Sequence, residues 1–294
     1  MSAEERRALI TGGRGQLARE LEATAPSGWC VQAYGSADLD VTRAEVVTDV
    51  LERVGPTVVI NAAAYTAVDA AEAEPDRAHA VNAVGAANVA TTCRRVGARM
   101  IQVSTDYVFD GMASRPYRPG DEPCPLGVYG RTKLAGEREV IRNLGEEAVI
   151  FRTAWLYSRW GRNFVLTMLR LFEEREEVGV VQDQVGAPTW GRSPAEAIWA
   201  AASRPEVRGI HHWTDEGVTS WYEFARAIQE DALDLGLTRR RVLIRPLRSD
   251  QYPTAARRPA YSVLDATSTE AALRLSRRPW RVSLQLMLQD LAHG

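Results

Sequence analysis

The sequence predicts an α/β fold: a doubly wound parallel sheet with a smaller C-terminal lobe. Three observations carry that prediction. Short apolar runs alternate with longer stretches that are apolar at three- to four-residue spacing. The runs are apolar almost without interruption, as strands covered on both faces must be. A glycine string follows the first run, where a strand would hand over to a helix.

The strands are expected over residues 8–11 (ALIT), 29–34 (WCVQAY), 57–61 (TVVIN), 100–104 (MIQVS) and 148–152 (AVIFR). Helices are expected between them, over 16–25, 43–54, 76–96 and 129–142. Past about residue 151 the rhythm loosens. VVQDQVGAPT reads as loop, PAEAIWAAASR and SWYEFARAIQEDALDLG as helices, and VLIRPLRS as a strand. The division expected is a dinucleotide-binding part over 1–155 and a mainly substrate-binding lobe over 156–294, with some later elements packing back on the sheet.

Composition narrows the function classes. With 45% hydrophobic residues, the 294-residue chain can bury a large core. A net charge of only -2 argues against nucleic acid or an anionic membrane as the main partner, so the ligand belongs in a pocket. No apolar run approaches the ~20 residues of a membrane helix. Cys30, Cys93 and Cys124 are isolated and lack C-x-x-C spacing, which points to a reducing compartment, the cytoplasm, rather than to disulfides or a zinc site.

The stretch LITGGRGQLARE carries the first chemistry. Gly13, Gly15 and Ala18 fit G-x-G-x-x-G/A, and Gly12, Gly15 and Ala18 fit the wider spacing. Glycines there let the backbone approach a pyrophosphate at a helix N-terminus, and a small residue at 18 lets helix and strand pack closely. A tight turn without a ligand is the alternative, but the alternating α/β context favours a dinucleotide and a Rossmann-like fold. The acid expected ~20 residues further on, for a ribose diol, is missing: the second strand runs into Gly35 and Ser36, with Asp38 and Asp40 nearest. Arg14 is either a partner for a 2′-phosphate, favouring NADPH over NADH, or simply solvated.

NAAAYTAVDAAE puts small residues at the carboxyl end of the central strand, either to admit a flat cofactor or as buried helix-compatible alanines. Asn82, in an apolar stretch, needs partners if buried. VYGRTKLAGE sets Tyr129 and Lys133 four residues apart, on one helical face, and by spacing alone this is no more than a neighbouring pair. MIQVSTDYVFDG ends the preceding strand in Ser104, Thr105 and Asp106. Together these residues resemble the active site of the extended short-chain dehydrogenase/reductases, a Ser or Thr with a Tyr and Lys in Y-x-x-x-K spacing. Within that superfamily the order of GGRGQLA, NAAAYTAVDAAE, STDYVFDG, VYGRTKLAGE, FRTAWLY, NFVLTMLRL, QDQVGAPT and RRPAYSVLD resembles the dTDP-4-dehydrorhamnose reductases over residues 8–290.

The resemblance implies NAD(P)H-dependent reduction of the 4-keto group of a dTDP-4-keto-6-deoxy sugar. Such a reaction needs an acid near the developing alkoxide. Tyr129 is the candidate, with Lys133 expected to lower its pKa and to hold the nicotinamide ribose, and Thr105 to bond the substrate oxygen or the phenol. The cofactor is expected against Gly12, Gly13, Gly15, Gln16 and Leu17, against Ala63, Ala64 and Tyr65, and with its adenine between Asp40 and Val41. Asp106 and Trp155 are expected to line the sugar site. Arg257 and Arg258 either meet the diphosphate or form a solvated pair. Sibling dehydratases carry Asp-Glu where this chain has Asp106 and Tyr107, so elimination of water is not expected. Some relatives form dimers bridged by Mg²⁺ through glutamates. Glu20 matches one such position, TWGRSPAE does not clearly preserve the second, and no metal is expected; a homodimer is one option and the oligomeric state is left open. His211 and His212 fall on an expected strand with Trp213 and read as edge or core packing residues, with proton transfer the alternative. The alternatives are a ketoreductase or epimerase acting on another nucleotide sugar, and a non-catalytic regulatory subunit resembling that of methionine adenosyltransferase.

Overall fold

A computed structural model describes residues 6–293. Its first half runs β1 (Arg6–Thr11), α1 (Gln16–Ala23), β2 (Trp29–Tyr34), α2 (Ala44–Val54), β3 (Val58–Asn61), α3 (Val68–Ala73), α4 (Pro75–His79), a π-helical turn (Ala80–Val84), α5 (Gly85–Val96), β4 (Arg99–Thr105), α6 (Val128–Leu144) and β5 (Val149–Thr153). The second half adds β6 (Leu156–Tyr157), α7 (Phe164–Glu174), β7 (Glu177–Val181), β8 (Val185–Gly186), β9 (Thr189–Trp190), α8 (Arg192–Ala202), β10 (Gly209–His212), β11 (Thr219–Ser220), α9 (Trp221–Asp234), β12 (Leu243–Leu247), α10 (Thr267–Leu273) and α11 (Trp280–His293).

The main sheet has the order β10-β5-β4-β3-β1-β2, with every pairing parallel. Side chains alternate between its faces, as the period of a strand requires. In β1, Ala8 and Ile10 point into a core closed by Leu17, Ala18 and Leu21 of α1 and Ile198 and Trp199 of α8. Leu9 points into the opposite core, closed by Val47 and Leu51 of α2, Val89 and Ala90 of α5 and Val140 of α6. Each large apolar side chain buried this way contributes about 1.5–3 kcal/mol. A third core joins α7, α9 and α11 to β7 and β12 through Phe172, Phe224, Leu284 and Leu288.

After β1 the chain turns to one side for β2 and then to the other for β3, so the carboxyl ends of β1 and β3 flank the point where an open sheet holds its ligand. A polar chain floors that point. The Thr11 hydroxyl donates to Asn61 Oδ1 at 2.5 Å, Asn61 Nδ2 to Gln102 Oε1 at 2.7 Å, and Ala63 N to the Thr11 oxygen at 3.1 Å.

One element differs from expectation. The helix predicted over 76–96 is broken by the π-turn at Ala80–Val84, a local widening that often marks functional sites. It places Asn82 so that its side chain accepts from Tyr65 N at 2.8 Å and donates to Tyr65 O and Thr132 Oγ1 at 3.2 and 3.0 Å. The 62–67 segment is thereby tied to α6. The sheet's sixth strand, β10, comes from far along the chain, a later element packing back on the sheet. No helix of the described residues is long and apolar enough to cross a membrane.

Candidate active site

The turn from β1 to α1 is wound too tightly for side chains. Gly12 has φ +68°, and a Cβ there would stand 2.9 Å from the Ala62 carbonyl and the Ala63 backbone. Gly13 N donates to Tyr34 O and Gly15 N to Gly12 O, both at 2.8 Å. Gly15 caps α1 without a side-chain hydrogen bond, so the first N–H groups of the helix stay available to an anion. This cradle fits a pyrophosphate. Leu17 lies in the core, whereas Gln16 reaches β6, donating from Nε2 to Leu156 O at 3.2 Å. Asp40 spends its carboxylate on Thr42 N and Oγ1 at 3.0 and 2.8 Å. Val41 is buried, and its carbonyl accepts from Asn88 at 2.9 Å. Ala63, Ala64 and Tyr65 line the loop after β3 and are half-buried. Arg14 lies across Gly35 at the end of β2, where no carboxylate stands.

Beside this cradle, β4 ends in Thr105, whose hydroxyl donates to Asp106 Oδ1 at 3.0 Å and accepts from Tyr107 N at 3.2 Å. Tyr129 is the second residue of α6 and meets the Tyr107 ring edge-on at 5.4 Å. Burial pushes its phenol up to about 12, while interaction with the Thr105 hydroxyl pulls it down and the Asp106 charge adds to the rise. Lys133 donates from Nζ to Val103 O at 2.7 Å, and burial lowers it to about 8 against the opposing charge of Glu137. The fall in the Tyr129 pKa expected from Lys133 is therefore not what the geometry gives. The ammonium is turned toward the β4 backbone, and desolvation governs the phenol.

A buried ion pair missed at the level of sequence underlies this helix. Arg152 Nε donates to Glu137 Oε1 at 2.9 Å and Nη2 to Oε2 at 2.6 Å, with both side chains almost fully buried. Ser104 adds a hydrogen bond to Glu137. His212 approaches Arg152 through Nε2 at 3.5 Å and donates from Nδ1 to Tyr117 O at 3.0 Å. Burial and the Arg152 charge push its pKa down to about 3, so it is neutral and structural. His211 stacks on Phe151 at 5.2 Å.

After β4, Asp106 is buried and its Oδ2 has no hydrogen-bond partner. Burial raises its pKa to about 6, with Ser262 and Thr105 easing the shift. A folded-state pKa above the ordinary 3.8 means that stability falls as pH rises from about 4 to about 6 and stays lowered above that window. Asp106→Asn is therefore expected to stabilise the protein at pH 7 by about 1–3 kcal/mol, with the gain vanishing below pH ~4, while weakening substrate binding. Urea unfolding at the two pH values checks this, and equal or lower stability of the variant at pH 7 contradicts it.

Trp155 holds the left-handed region at φ 45°, a strain of about 1–3 kcal/mol for a non-glycine residue. Its ring is clamped against Trp221, stacked at 3.5 Å and 7°. Arg258 does not stand free: its guanidinium bonds Asp69 at 2.7 and 3.2 Å, whereas Arg257 is exposed. Glu20 accepts from Trp190 Nε1 at 3.1 Å and faces Arg192 at 3.8 Å, and burial raises its pKa to about 7 against the Arg192 charge. Among the described residues no group of three or more His, Cys, Asp or Glu could hold a metal ion.

A phosphate cradle at the switch point of a parallel sheet, with Thr105 at the end of β4 and Tyr129 and Lys133 on α6 packed against that strand, defines a dinucleotide-dependent oxidoreductase. The family model of the RmlD substrate binding domain matches residues 6–293. The dTDP-4-dehydrorhamnose reductase of Streptomyces griseus is 44% identical, with 94% of this chain and 91% of the relative covered. That of Burkholderia thailandensis is 39% identical over 96% and 98%. Among solved structures, the dTDP-4-dehydrorhamnose reductase of Bacillus anthracis in complex with NADP superposes with a TM-score of 0.91 at 35% identity, covering 97% of this chain and 99% of the other. The chain belongs to the dTDP-4-dehydrorhamnose reductase family.

Proposed function

We propose that this chain reduces the 4-keto group of dTDP-4-dehydro-L-rhamnose to give dTDP-L-rhamnose, as a cytoplasmic enzyme using NADPH. The observation that carries the reading is the placement of Thr105, Tyr129 and Lys133 at the carboxyl end of β4, beside the glycine cradle. Relatives named for this activity match almost the whole chain. Arg14 across Gly35, with no acid at the end of β2, supports NADPH over NADH. Three free cysteines suit a reducing compartment. The epimerase alternative has weaker support: UDP-glucose 4-epimerase of Thermus thermophilus shares the fold with a TM-score of 0.82, but at 20% identity.

Bound in this crevice, the dinucleotide supplies the hydride that reduces the carbonyl carbon. Tyr129, with its pKa near 12, is fully protonated at neutral pH and donates its proton to the developing alkoxide. Thr105 orients the phenol and the substrate oxygen. Asp106 receives a sugar hydroxyl on its unpartnered Oδ2, and Trp155 forms an apolar wall. Lys133 holds the nicotinamide ribose from a site that also fixes the Val103 carbonyl.

The test is oxidation of NADPH and NADH with dTDP-4-dehydro-L-rhamnose, followed by stereochemical analysis at C4. Turnover with NADPH and a rhamno product is expected, and binding of NADPH without turnover would return the chain to a non-catalytic role. Because Lys133 is lowered to about 8, kcat/KM is expected to decline as pH rises through that value rather than near the ordinary 10.5. Lys133→Ala is expected to lose both rate and dinucleotide affinity. An unchanged dinucleotide Kd in that variant removes Lys133 from the cofactor site.

A further inference from the structure

We propose that Glu72 is a positioning residue for the reaction: from α3 it caps the N-terminus of α6 and thereby fixes the helical turn that carries Tyr129. The inference rests on the reading of Tyr129 as the acid given above. Glu72 Oε1 accepts from Val128 N, the first residue of α6, at 2.7 Å. The helix supplies no cap of its own. Its N-cap is Gly127, which has no side chain, and its first turn holds no acidic residue. Fit at this point is close: a Cβ on Gly127 would stand 2.7 Å from the Glu72 carboxylate oxygen. An anionic acceptor at a helix N-terminus satisfies a backbone donor and opposes the helix dipole at once. The residue held this way is the immediate neighbour of Tyr129.

The opposite attachment of α3 shows why the cap comes from outside the helix. Three residues before Glu72, Asp69 accepts from Ala256 N at 3.0 Å and forms the ion pair with Arg258 at 2.7 Å. The segment beginning there continues to Ala260, whose carbonyl accepts from Val185 N, and to Ser262, the neighbour of Asp106. A single short helix thus ties the first turn of the Tyr129 helix to the segment that leads to the substrate carboxylate. The acid and the sugar site are set against each other through α3, so loss of the Glu72 contact should misplace the phenol while leaving the dinucleotide cradle alone. Misplacement of about 1 Å at a reacting centre costs up to ~10²-fold in rate, and a loosened turn costs less.

The experiment measures kcat, substrate KM, dinucleotide Kd and thermal stability for Glu72→Ala and Glu72→Gln, each alone and with Tyr129→Phe. Glu72→Ala is expected to lower kcat about tenfold with Kd for NADPH unchanged, whereas Glu72→Gln, which keeps the acceptor oxygen, stays within about threefold of the parent. In the Tyr129→Phe background Glu72→Ala is expected to cost little more, because both act through the same phenol. The proposal is overturned if Glu72→Ala turns over like the parent, if its loss is the same size with and without Tyr129, or if it follows only the fraction of protein folded. Failure of the underlying reading looks different: Tyr129→Phe would itself remain active.

Discussion

Tyr129→Phe lowers kcat by about 10²-fold or more while leaving the affinity for NADPH nearly unchanged, the size of effect that loss of a general acid produces. The phenol stands where burial keeps it protonated at neutral pH, and the rest of its ring is held by the edge-on contact with Tyr107. Phenylalanine keeps the ring and removes only the proton, so the fold and the dinucleotide cradle should be untouched. Single-turnover reduction with saturating NADPH reads the chemical step directly. Rates within a few-fold of the parent would take Tyr129 out of the acid role and leave Thr105 or a solvent proton to fill it.

Arg152→Met destabilises the protein by about 3–5 kcal/mol, because it strands the Glu137 carboxylate in a site that is almost fully buried. The partner change recovers much of the loss: Arg152→Met with Glu137→Leu leaves no buried charge, and replacing both members of such a pair by apolar groups is often neutral or better. Urea unfolding of the three variants checks this. A single substitution as mild as the double would mean that water or rotation into solvent rescues Glu137. Activity of the double variant is a separate question, since Glu137 is also the charge felt by Lys133.

The alternation of the first half was open to reading in the sequence because β1 to β5 are apolar on both faces, and no other element type suits runs of four to seven such residues between amphipathic helices. The cradle was equally open, since glycine spacing records where backbone must approach backbone. What stayed hidden was hidden for physical reasons. GIHH reads as a strand, but its two histidines do not say which sheet it joins until it pairs with β5 and Phe151, Tyr117 and Arg152 are seen to surround them. Glu137 and Arg152 are each ordinary charged residues, and only the packing of α6 on β4 and β5 makes them a pair. The π-turn carries Asn82 onto the Tyr65 backbone, a contact across 17 residues with no local signature. Likewise, spacing made Tyr129 and Lys133 neighbours, but it could not reveal that the ammonium turns toward Val103.

The position of β10 bears on how this protein is made. The strand that completes the main sheet at its β5 edge lies more than fifty residues after β5 in the sequence, beyond α7 and α8. Until residue 212 has left the ribosome, β5 presents a bare row of backbone donors and acceptors, the kind of edge on which chains aggregate. Arg152 and Glu137 would meanwhile wait without His212 and the Trp213 N–H that accompanies it onto the Arg152 carbonyl. Closure of that edge therefore waits on residues 209–212, which pair with β5 along its length.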